Sequence, residues 1–169
     1  MNSVEVKSTI PIEGGEAIDI VYVEDNPLNN FEGRIMQGVR GYCFCGGKFV
    51  IVHSMRDGKS HWVPPGGGIE LGENFTEATI REIKEETNMN VLKMKTFGYL
   101  DIYKDGKILR QTMSICIVEP YGDFVSDPDG DITEIKLIDP ADCKKYFDWG
   151  ETGEARMQKA LELKDTLIL

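Results

Sequence analysis

The sequence is poor in the residues that build zinc sites. Its 169 residues include four cysteines and two histidines, His53 and His61, and no two cysteines are spaced as C-x-x-C. Small zinc sites usually carry such closely spaced cysteine pairs, so a structural zinc site is not expected. Cys43 and Cys45 fall on one face of a predicted strand by alternation. We interpret them as small buried hydrophobes in a reducing compartment.

Long apolar segments and positive charge are also scarce. No apolar run approaches the roughly 18 residues of a membrane span, and Met1–Glu5 lacks the basic and then apolar pattern of a secretory signal. We therefore expect a soluble, cytoplasmic protein with no membrane partner. The formal net charge of −10 opposes binding to nucleic acid polymers. A small phosphorylated substrate would be repelled as well, unless metal ions intervened.

Two common phosphate-binding motifs are missing. Gly58-Lys59-Ser60 matches the end of a P-loop, but His53 stands where that loop requires its first glycine. The glycine run Gly66–Gly68 is followed by Leu71 where the dinucleotide fingerprint requires its third glycine. Neither a P-loop nucleoside triphosphatase nor a Rossmann domain is predicted.

The most informative segment, residues 66–89, is a glycine-rich turn that runs into an acidic helix. Asn74 is a suitable N-cap, and Glu77 three residues later completes a capping-box pattern. Asn88 tolerates the left-handed conformation that ends helices, and Val91 opens a β-branched run. The sequence thus predicts a helix that begins near Asn74 and ends near Asn88.

The predicted helix has a packing side and an acidic side. At about 100° per residue, the packing side carries Thr76, Ile80, Ile83 and Thr87. Glu82, Glu85 and Glu86 gather roughly 130° away, with nothing basic inside the cluster. An acidic helix taken alone is also typical of an ordinary solvated face. As a ligand set, these hard oxygens suit Mg²⁺ or Mn²⁺, which bind through a few carboxylates together with substrate phosphates.

The order and spacing of the whole segment resemble the Nudix box of the Nudix hydrolases. Eight of its nine specified positions are matched in register, by Gly67, Glu73, Arg81, Glu82, Ile83, Glu85, Glu86 and Met89. The departure is Asn88, where the family has glycine. The lead-in from Trp62 to Gly68 also resembles the family's approach to the box, with one residue altered.

The resemblance implies an α/β (α+β) fold, a Nudix-like α/β/α sandwich with a mixed β-sheet between the Nudix helix and a C-terminal helix. We expect residues 1–169 to form a single Nudix hydrolase domain, with residues 1–30 as an N-terminal β extension. The resemblance does not cover this extension, whose role is open between part of the active site and a contact in a homodimer.

Period-two patterns and turn residues place the remaining elements. The predicted strands are Val4–Ile12, Ala17–Val23, Gln37–Cys45, Lys48–Ser54, Val91–Tyr103, Ile108–Val118 and Ile132–Ile138. A polar loop is predicted from Met55 to Ser60, and an Asp-Gly hairpin turn at Asp105-Gly106. An amphipathic C-terminal helix is predicted between Ala155 and Leu167.

The resemblance further implies hydrolysis of the pyrophosphate bond of a nucleoside diphosphate linked to another moiety, with Mg²⁺ or Mn²⁺ as cofactor. Glu82, Glu85 and Glu86, with the backbone carbonyl of Gly67 or its neighbour Gly66, would bind the metal. Arg81 would pair with Glu73 and fix the loop to the helix.

The general base is either Glu85 or a carboxylate from a downstream loop. The downstream candidates are Glu119, Asp123, Asp127, Asp129, Asp131 and Glu134.

Other residues and functions remain open from the sequence. Two further sets of side chains are candidates to contact the substrate, although an ordinary core or surface role is the favoured interpretation of each. The candidates for phosphate contacts are Arg40, Arg56 and Arg110, and those for base stacking are Phe31, Tyr99, Tyr103 and Tyr121. One alternative function is a non-catalytic nucleotide-binding module with the same fold. A second is an isoprenoid diphosphate isomerase, which would use a cysteine such as Cys43, Cys45 or Cys116. The sequence does not identify the substrate.

Overall fold

A computed structural model describes residues 4–12, 14–56, 58–123 and 130–168. The elements of these residues are, in chain order, β1 (Glu5–Ile10), β2 (Ile18–Val23), β3 (Arg34–Cys45), β4 (Lys48–Arg56), β5 (Lys59–Val63), β6 (Gly66–Gly68), α1 (Phe75–Thr87), β7 (Met89–Lys104), β8 (Lys107–Pro120), β9 (Ile132–Ile138), a 3₁₀ helix (Pro140–Lys145) and α2 (Gly150–Ile168). No helix among the described residues is long and apolar enough to cross a membrane.

The strands form one mixed sheet in the order β1-β2-β7-β8-β3-β4-β5, with β6 added to β3 and β9 added to β4. The β3–β8 pair is parallel, whereas the other paired strands are antiparallel. β3 and β4 pair only at their tip, through Phe44–Phe49 and Cys45–Lys48. Beyond this tip β3 pairs with β6, and β4 pairs with β5.

The two helices cover opposite faces of the sheet. Tyr42 packs in the same cluster as Ala160 of α2, whereas its neighbour Cys43 packs with Ile83 of α1. Successive residues of a strand point to opposite faces, so α1 and α2 lie on either side of β3. The expected α/β/α sandwich with a mixed sheet is confirmed.

Local sequence determines the ends of α1. The Asn74 side chain accepts a hydrogen bond from the Glu77 N–H at 2.8 Å, and Asn88 has the left-handed φ of 57°. The helix therefore begins and ends at the residues that the sequence predicts. The β7–β8 turn is also confirmed, since Asp105 and Gly106 both have positive φ, as a two-residue hairpin requires.

Other expectations for the central segment are wrong. The predicted loop from Met55 to Ser60 is instead the tip of the β4–β5 hairpin, with Met55 opposite Ser60. The predicted packing side of α1 is rotated, because Thr76 and Ile80 are exposed while Glu82 and Glu86 are buried. The short strand β6 and the 3₁₀ helix have no counterpart among the predicted elements.

Candidate active site

The site is built on the glycines of β6, which lie unusually close to β3. Gly66, Gly67 and Gly68 pair antiparallel with Arg40, Val39 and Gly38. A Cβ on Gly66 would lie 2.2 Å from the Val39 carbonyl oxygen, and a Cβ on Gly38 would lie 2.8 Å from the Gly67 oxygen. Only glycine permits two backbones to approach this closely.

Helix α1 places two carboxylates against this glycine strand. Glu82 and Glu86 are 8% and 6% exposed. The Glu82 carboxylate would lie 2.5 Å from a Cβ on Gly67, and Glu86 accepts a long hydrogen bond of 3.4 Å from the Gly66 N–H. Acidic side chains are mostly exposed in proteins and are buried only with compensating partners, so the burial of two of them on one helix marks this surface as a candidate site.

A polar cavity of about 110 Å³ opens beside the two carboxylates. Its residues, apart from Val63 and Ile132, are glycine, charged or polar: Gly66, Gly67, Gly68, Glu82, Glu86, Arg40, Ser54, His61 and Asp131. Ser54 and His61 face each other across the β4–β5 pair. Neither residue was a candidate from the sequence, because β5, the strand that brings His61 opposite Ser54, was not predicted.

Arg81 connects the loop, the helix and the glycine strand. Its Nε and Nη2 donate to the two carboxylate oxygens of Glu73 at 2.8 and 2.9 Å, and Nη2 also donates to the Gly68 carbonyl at 2.9 Å. The implied pairing of Arg81 with Glu73 is thus observed. The hydrogen bond with Glu73 is the main reason that the pKa of Arg81 is raised, so its charge is permanent.

Arg81 also corrects the expectation that the carboxylate cluster contains no basic group. Its Nη1 donates to Glu82 at 3.0 Å and to Glu85 at 3.1 Å. Within the ranges that the structure describes, no three His, Cys, Asp or Glu side chains stand together as a preassembled metal cluster. The guanidinium supplies the compensating charge between Glu82 and Glu85.

The structure distinguishes among the downstream carboxylates that are candidates for the general base. Asp131 lines the cavity with Glu82 and Glu86, and its carbonyl accepts from the Met55 N–H at 2.7 Å. Exposed positions are occupied by Glu119, Asp123 and Glu134. Asp127 and Asp129 lie outside the described residues. Asp131 is therefore the described downstream candidate that the fold brings to the cavity.

The three candidate phosphate-binding arginines also differ. Arg40 lines the cavity and donates from Nη1 to the Pro64 carbonyl at 2.7 Å. Arg110 is 0% exposed and bound to Asp101, so it is buried in the fold and does not take the phosphate-binding role that the sequence left open as the weaker possibility. The side chain of Arg56 lies outside the described part.

The aromatic candidates are mostly held by cations of the protein itself. Tyr99 lies 3.6 Å from the Arg110 guanidinium, and Phe31 lies 5.6 Å from it. Tyr121 is covered by Lys84 at 3.0 Å. Tyr103 is 39% exposed and lies on β7 opposite Asp19 of β2.

We expect Gly67→Ala to impair the site more than the fold. Gly67 has an ordinary φ, and the new methyl would meet the flexible end of Glu82, which can move aside. The displaced carboxylate would lower kcat about 10-fold, while the free energy of unfolding would fall by only about 1 kcal/mol. Turnover and urea unfolding of the purified variant test this.

Gly68→Ala is the matched control, because the nearest atom to its added Cβ would be the Gln37 oxygen at 4.0 Å. It should retain near-normal turnover. Equal loss in both variants would contradict the role of the Gly67–Glu82 contact.

We expect Glu73→Gln to destabilise the protein at neutral pH only. Its hydrogen bonds with Arg81 lower the pKa of the Glu73 carboxyl below its usual value. A carboxyl whose pKa is lowered on folding stabilises the fold above its unfolded pKa of about 4.3, and this contribution is lost as pH falls through the folded value.

Urea unfolding from neutral pH down to about pH 3 should therefore show a wild-type advantage that disappears in acid. Glu70→Gln is the control, since Glu70 is 69% exposed and lies 3.7 Å from Arg81. A wild-type advantage over Glu73→Gln that persisted unchanged in acid would contradict the assignment.

The part of the chain that contains these residues matches a known protein family. A family model described as the NUDIX domain matches residues 37–158. The match covers the glycine strand, α1 and the residues of the polar cavity, and begins after β1 and β2.

Two curated relatives cover this region in part. The chain is 29% identical over 108 residues to a candidate mutator protein, MutT4, of Mycobacterium tuberculosis, which is 63% of this chain and 44% of the relative. It is 35% identical over 72 residues to an RNA pyrophosphohydrolase of Brucella anthropi, which is 42% of this chain and 41% of the relative. The aligned region thus spans less than half the length of either relative.

Solved structures share the fold. The Bacillus subtilis pyrophosphohydrolase BsRppH superposes with a TM-score of 0.69 at 18% identity, over 87% of this chain and 92% of that one. An Ap4A hydrolase of C. elegans superposes with a TM-score of 0.61 at 20% identity, over 79% and 100%. At these identities the likeness establishes a common architecture.

Proposed function

Since the chain belongs to the NUDIX domain family, we propose that it is a divalent-metal-dependent hydrolase that cleaves the pyrophosphate bond of a nucleoside diphosphate linked to another moiety. The substrate is a small nucleotide derivative. The net charge of −10 favours such a substrate over a nucleic acid polymer, whose phosphates are repelled along its length.

The burial of Glu82 and Glu86 against the glycine strand carries this proposal. Two carboxylates that are 8% and 6% exposed line a polar cavity with Arg40 on its wall. Carboxylates on successive helical turns repel each other. A cation bound between them would offset this repulsion. The donor set fits Mg²⁺ or Mn²⁺ in kind, because carboxylates and a backbone carbonyl are hard oxygen ligands.

Glu82, Glu85 and Glu86, with the Gly67 carbonyl, would hold the metal. When bound, the ion supplies charge neutralisation at the phosphate oxygens and lowers the pKa of water. Arg81 holds the ligand helix to the loop through Glu73 and to the glycine strand through Gly68. Arg40 brings positive charge to the lining of the cavity, where it would orient a phosphate group.

Two carboxylates compete for the role of general base. Glu85 lies within the box, but it is bound to Arg81 at 3.1 Å. Asp131 lines the cavity beside Glu82 and Glu86. We assign proton removal from the attacking water to one of these two. The general base is the residue whose amide variant, Glu85→Gln or Asp131→Asn, loses the acidic limb of the pH–kcat profile.

The cysteines do not favour the isomerase alternative. Cys43 and Cys116 are 0% exposed, and burial raises the pKa of the Cys43 thiol well above its usual value. A buried neutral thiol is a poor nucleophile or acid–base group. The non-catalytic binding module differs from the hydrolase only in turnover, which an assay measures directly.

A substrate panel with Mg²⁺ and with Mn²⁺ tests the proposal. It should contain ADP-ribose, other nucleotide sugars, dinucleoside polyphosphates, nucleoside triphosphates and 5′-triphosphorylated RNA, with product separation by ion-exchange chromatography. We expect metal-dependent release of a nucleoside monophosphate from a small substrate. Binding without product from any member would replace the hydrolase with the binding module.

A further inference from the structure

A second cavity adjoins the carboxylate cavity. It has a volume of about 170 Å³ and shares Arg40, Gly67 and Gly68 with the first. The remaining lining residues are Gly38, Val39 and two glutamines, Gln37 and Gln111. A group attached to a diphosphate held beside Arg40 would therefore enter a space walled by carboxamides.

Gln37 is placed by an irregularity in β3. Met36 pairs with Arg110 and Gly38 pairs with Gln111, so Gln37 is an extra residue with no partner in the β8 register. Such β-bulges redirect a side chain and are frequent next to active sites. Gln37 thus stands at the bulge, and it lines the second cavity.

Gln111 reaches the same cavity from the neighbouring strand. It stands opposite Gly38, and its Cγ would lie 3.8 Å from a Cβ on that glycine. Because Gly38 has no side chain, Gln111 lines the cavity next to the bare backbone of that glycine. Gln37, Gly38 and Gln111 together make one polar recess.

Neither carboxamide is engaged by the protein. In the described portion of the chain, the side chains of Gln37 and Gln111 have no hydrogen-bond partner. The chain contains three glutamines, and the third, Gln158, donates to Glu162 on α2 at 3.4 Å. Two of the three thus converge, with unused donors and acceptors, on the recess next to the carboxylates.

We infer that Gln37 and Gln111 are specificity residues that bind the base of the nucleotide, and that this base is adenine. The inference rests on the proposed function for the location of the diphosphate. A carboxamide presents a donor beside an acceptor and pairs in bidentate fashion with the 6-amino group and N7 of adenine.

Adenine offers this complementary pattern on both of its edges, since the 6-amino group stands between two ring nitrogen acceptors. Two carboxamides can therefore bind the same amino group from either side. Guanine can pair with one carboxamide through O6 and the N1–H, but its N7 edge presents two acceptors and suits arginine instead, so it does not offer both carboxamides a complementary edge. Adenine is thus the base that best matches the pair.

The test is equilibrium binding, which does not depend on turnover. Isothermal titration calorimetry in Mg²⁺ compares AMP with purine riboside 5′-monophosphate, which lacks only the 6-amino group. We expect wild type to prefer AMP by about 10-fold, as the loss of one or two hydrogen bonds implies. Gln37→Met and Gln111→Met, which conserve side-chain length, should each reduce that preference several-fold, and the double variant should abolish it.

Gln158→Met is the matched control and should keep the preference. If Gln111→Met fails to fold, Gln37→Met on the exposed bulge carries the test alone. Equal affinity of wild type for the two ligands, no binding of either, or an unchanged preference in the variants would overturn the inference. Failure of the proposed hydrolase would appear separately, as base-selective binding without product from any substrate of the panel.

Discussion

Replacing Glu86 with glutamine is expected to lower kcat by roughly 100- to 1,000-fold while leaving the fold intact. Metal ions contribute several kcal/mol of transition-state stabilisation, and each 1.36 kcal/mol corresponds to a factor of ten in rate. Glu86 is 6% exposed and lines the cavity, so glutamine fills the same space without the charge. Steady-state kinetics on the substrate found in the panel measures the effect.

Thermal unfolding separates a lost ligand from a damaged fold. Without metal, Glu86→Gln should unfold cooperatively at a Tm close to that of wild type, because glutamine has nearly the size of glutamate and the substitution also removes repulsion with Glu82 one turn away. With Mg²⁺ at about 100 times its dissociation constant, wild type should gain roughly 2.7 kcal/mol, or more than about 5 °C in Tm. The variant should gain much less.

Glu77→Gln is the control for this experiment, since Glu77 lies on the same helix but is exposed. It should retain both turnover and the response to Mg²⁺. Comparable turnover in Glu86→Gln and wild type, or an equal rise in Tm with Mg²⁺, would refute the metal assignment.

The parts of the site that could be predicted are those encoded by neighbouring residues. Asn74 and Asn88 cap α1 through contacts within four residues of themselves, and the spacing of the box residues sets which of them share a turn. Capping and periodicity are local properties, so a single sequence contains them. The metal and catalytic roles of these residues remain predictions.

The direction in which α1 buries its side chains could not be predicted. Periodicity assigned the packing side to apolar residues such as Ile80, which is 44% exposed. The helix packs Ile83 against β3, and next to it Glu82 and Glu86 face the glycine backbone of β6, which has no side chains for an apolar stripe to cover and leaves room for the two carboxylates. Knowing this requires the partner strand, and β6 was not among the predicted elements.

Arg110 shows the same limit for charged residues. Its acceptors are Asp101 and the carbonyls of Pro27, Asn29 and Asn30, about 80 residues away in sequence. The expectation that an arginine lies at the surface is correct for most arginines. It fails where a loop that is distant in sequence supplies hydrogen-bond acceptors for the guanidinium. The burial of Arg110 therefore follows from tertiary structure alone.

Replacing Arg110 with methionine is expected to lower the free energy of unfolding by about 3–5 kcal/mol, the usual cost of removing one partner of a buried ion pair. Arg110 is 0% exposed, binds Asp101 through Nε at 2.8 Å and Nη2 at 3.0 Å, and lies over Tyr99. In the part of the chain that the structure describes, the substitution leaves Asp101 buried with a 3.4 Å contact to Arg34 as its remaining ion pair. Urea unfolding gives the change as a shift in the midpoint at constant slope.

Loss of the guanidinium also releases the loop that it holds. Its donors to the carbonyls of Pro27 and Asn29, at 2.7 and 2.6 Å, have no replacement in methionine. Hydrogen exchange should therefore accelerate in residues 25–30 more than in α1.

Arg34→Met is the matched control, because Arg34 belongs to the same cluster, is 26% exposed at its side chain and touches Asp101 only at 3.4 Å. It should cost less than about 1 kcal/mol. If Arg110→Met were no more destabilising than Arg34→Met, the buried pair would not hold the loop to the sheet. The larger loss at Arg110 is expected because, of the two arginines, it is the one whose removal leaves a buried charge with a single long contact and leaves several backbone acceptors without a donor.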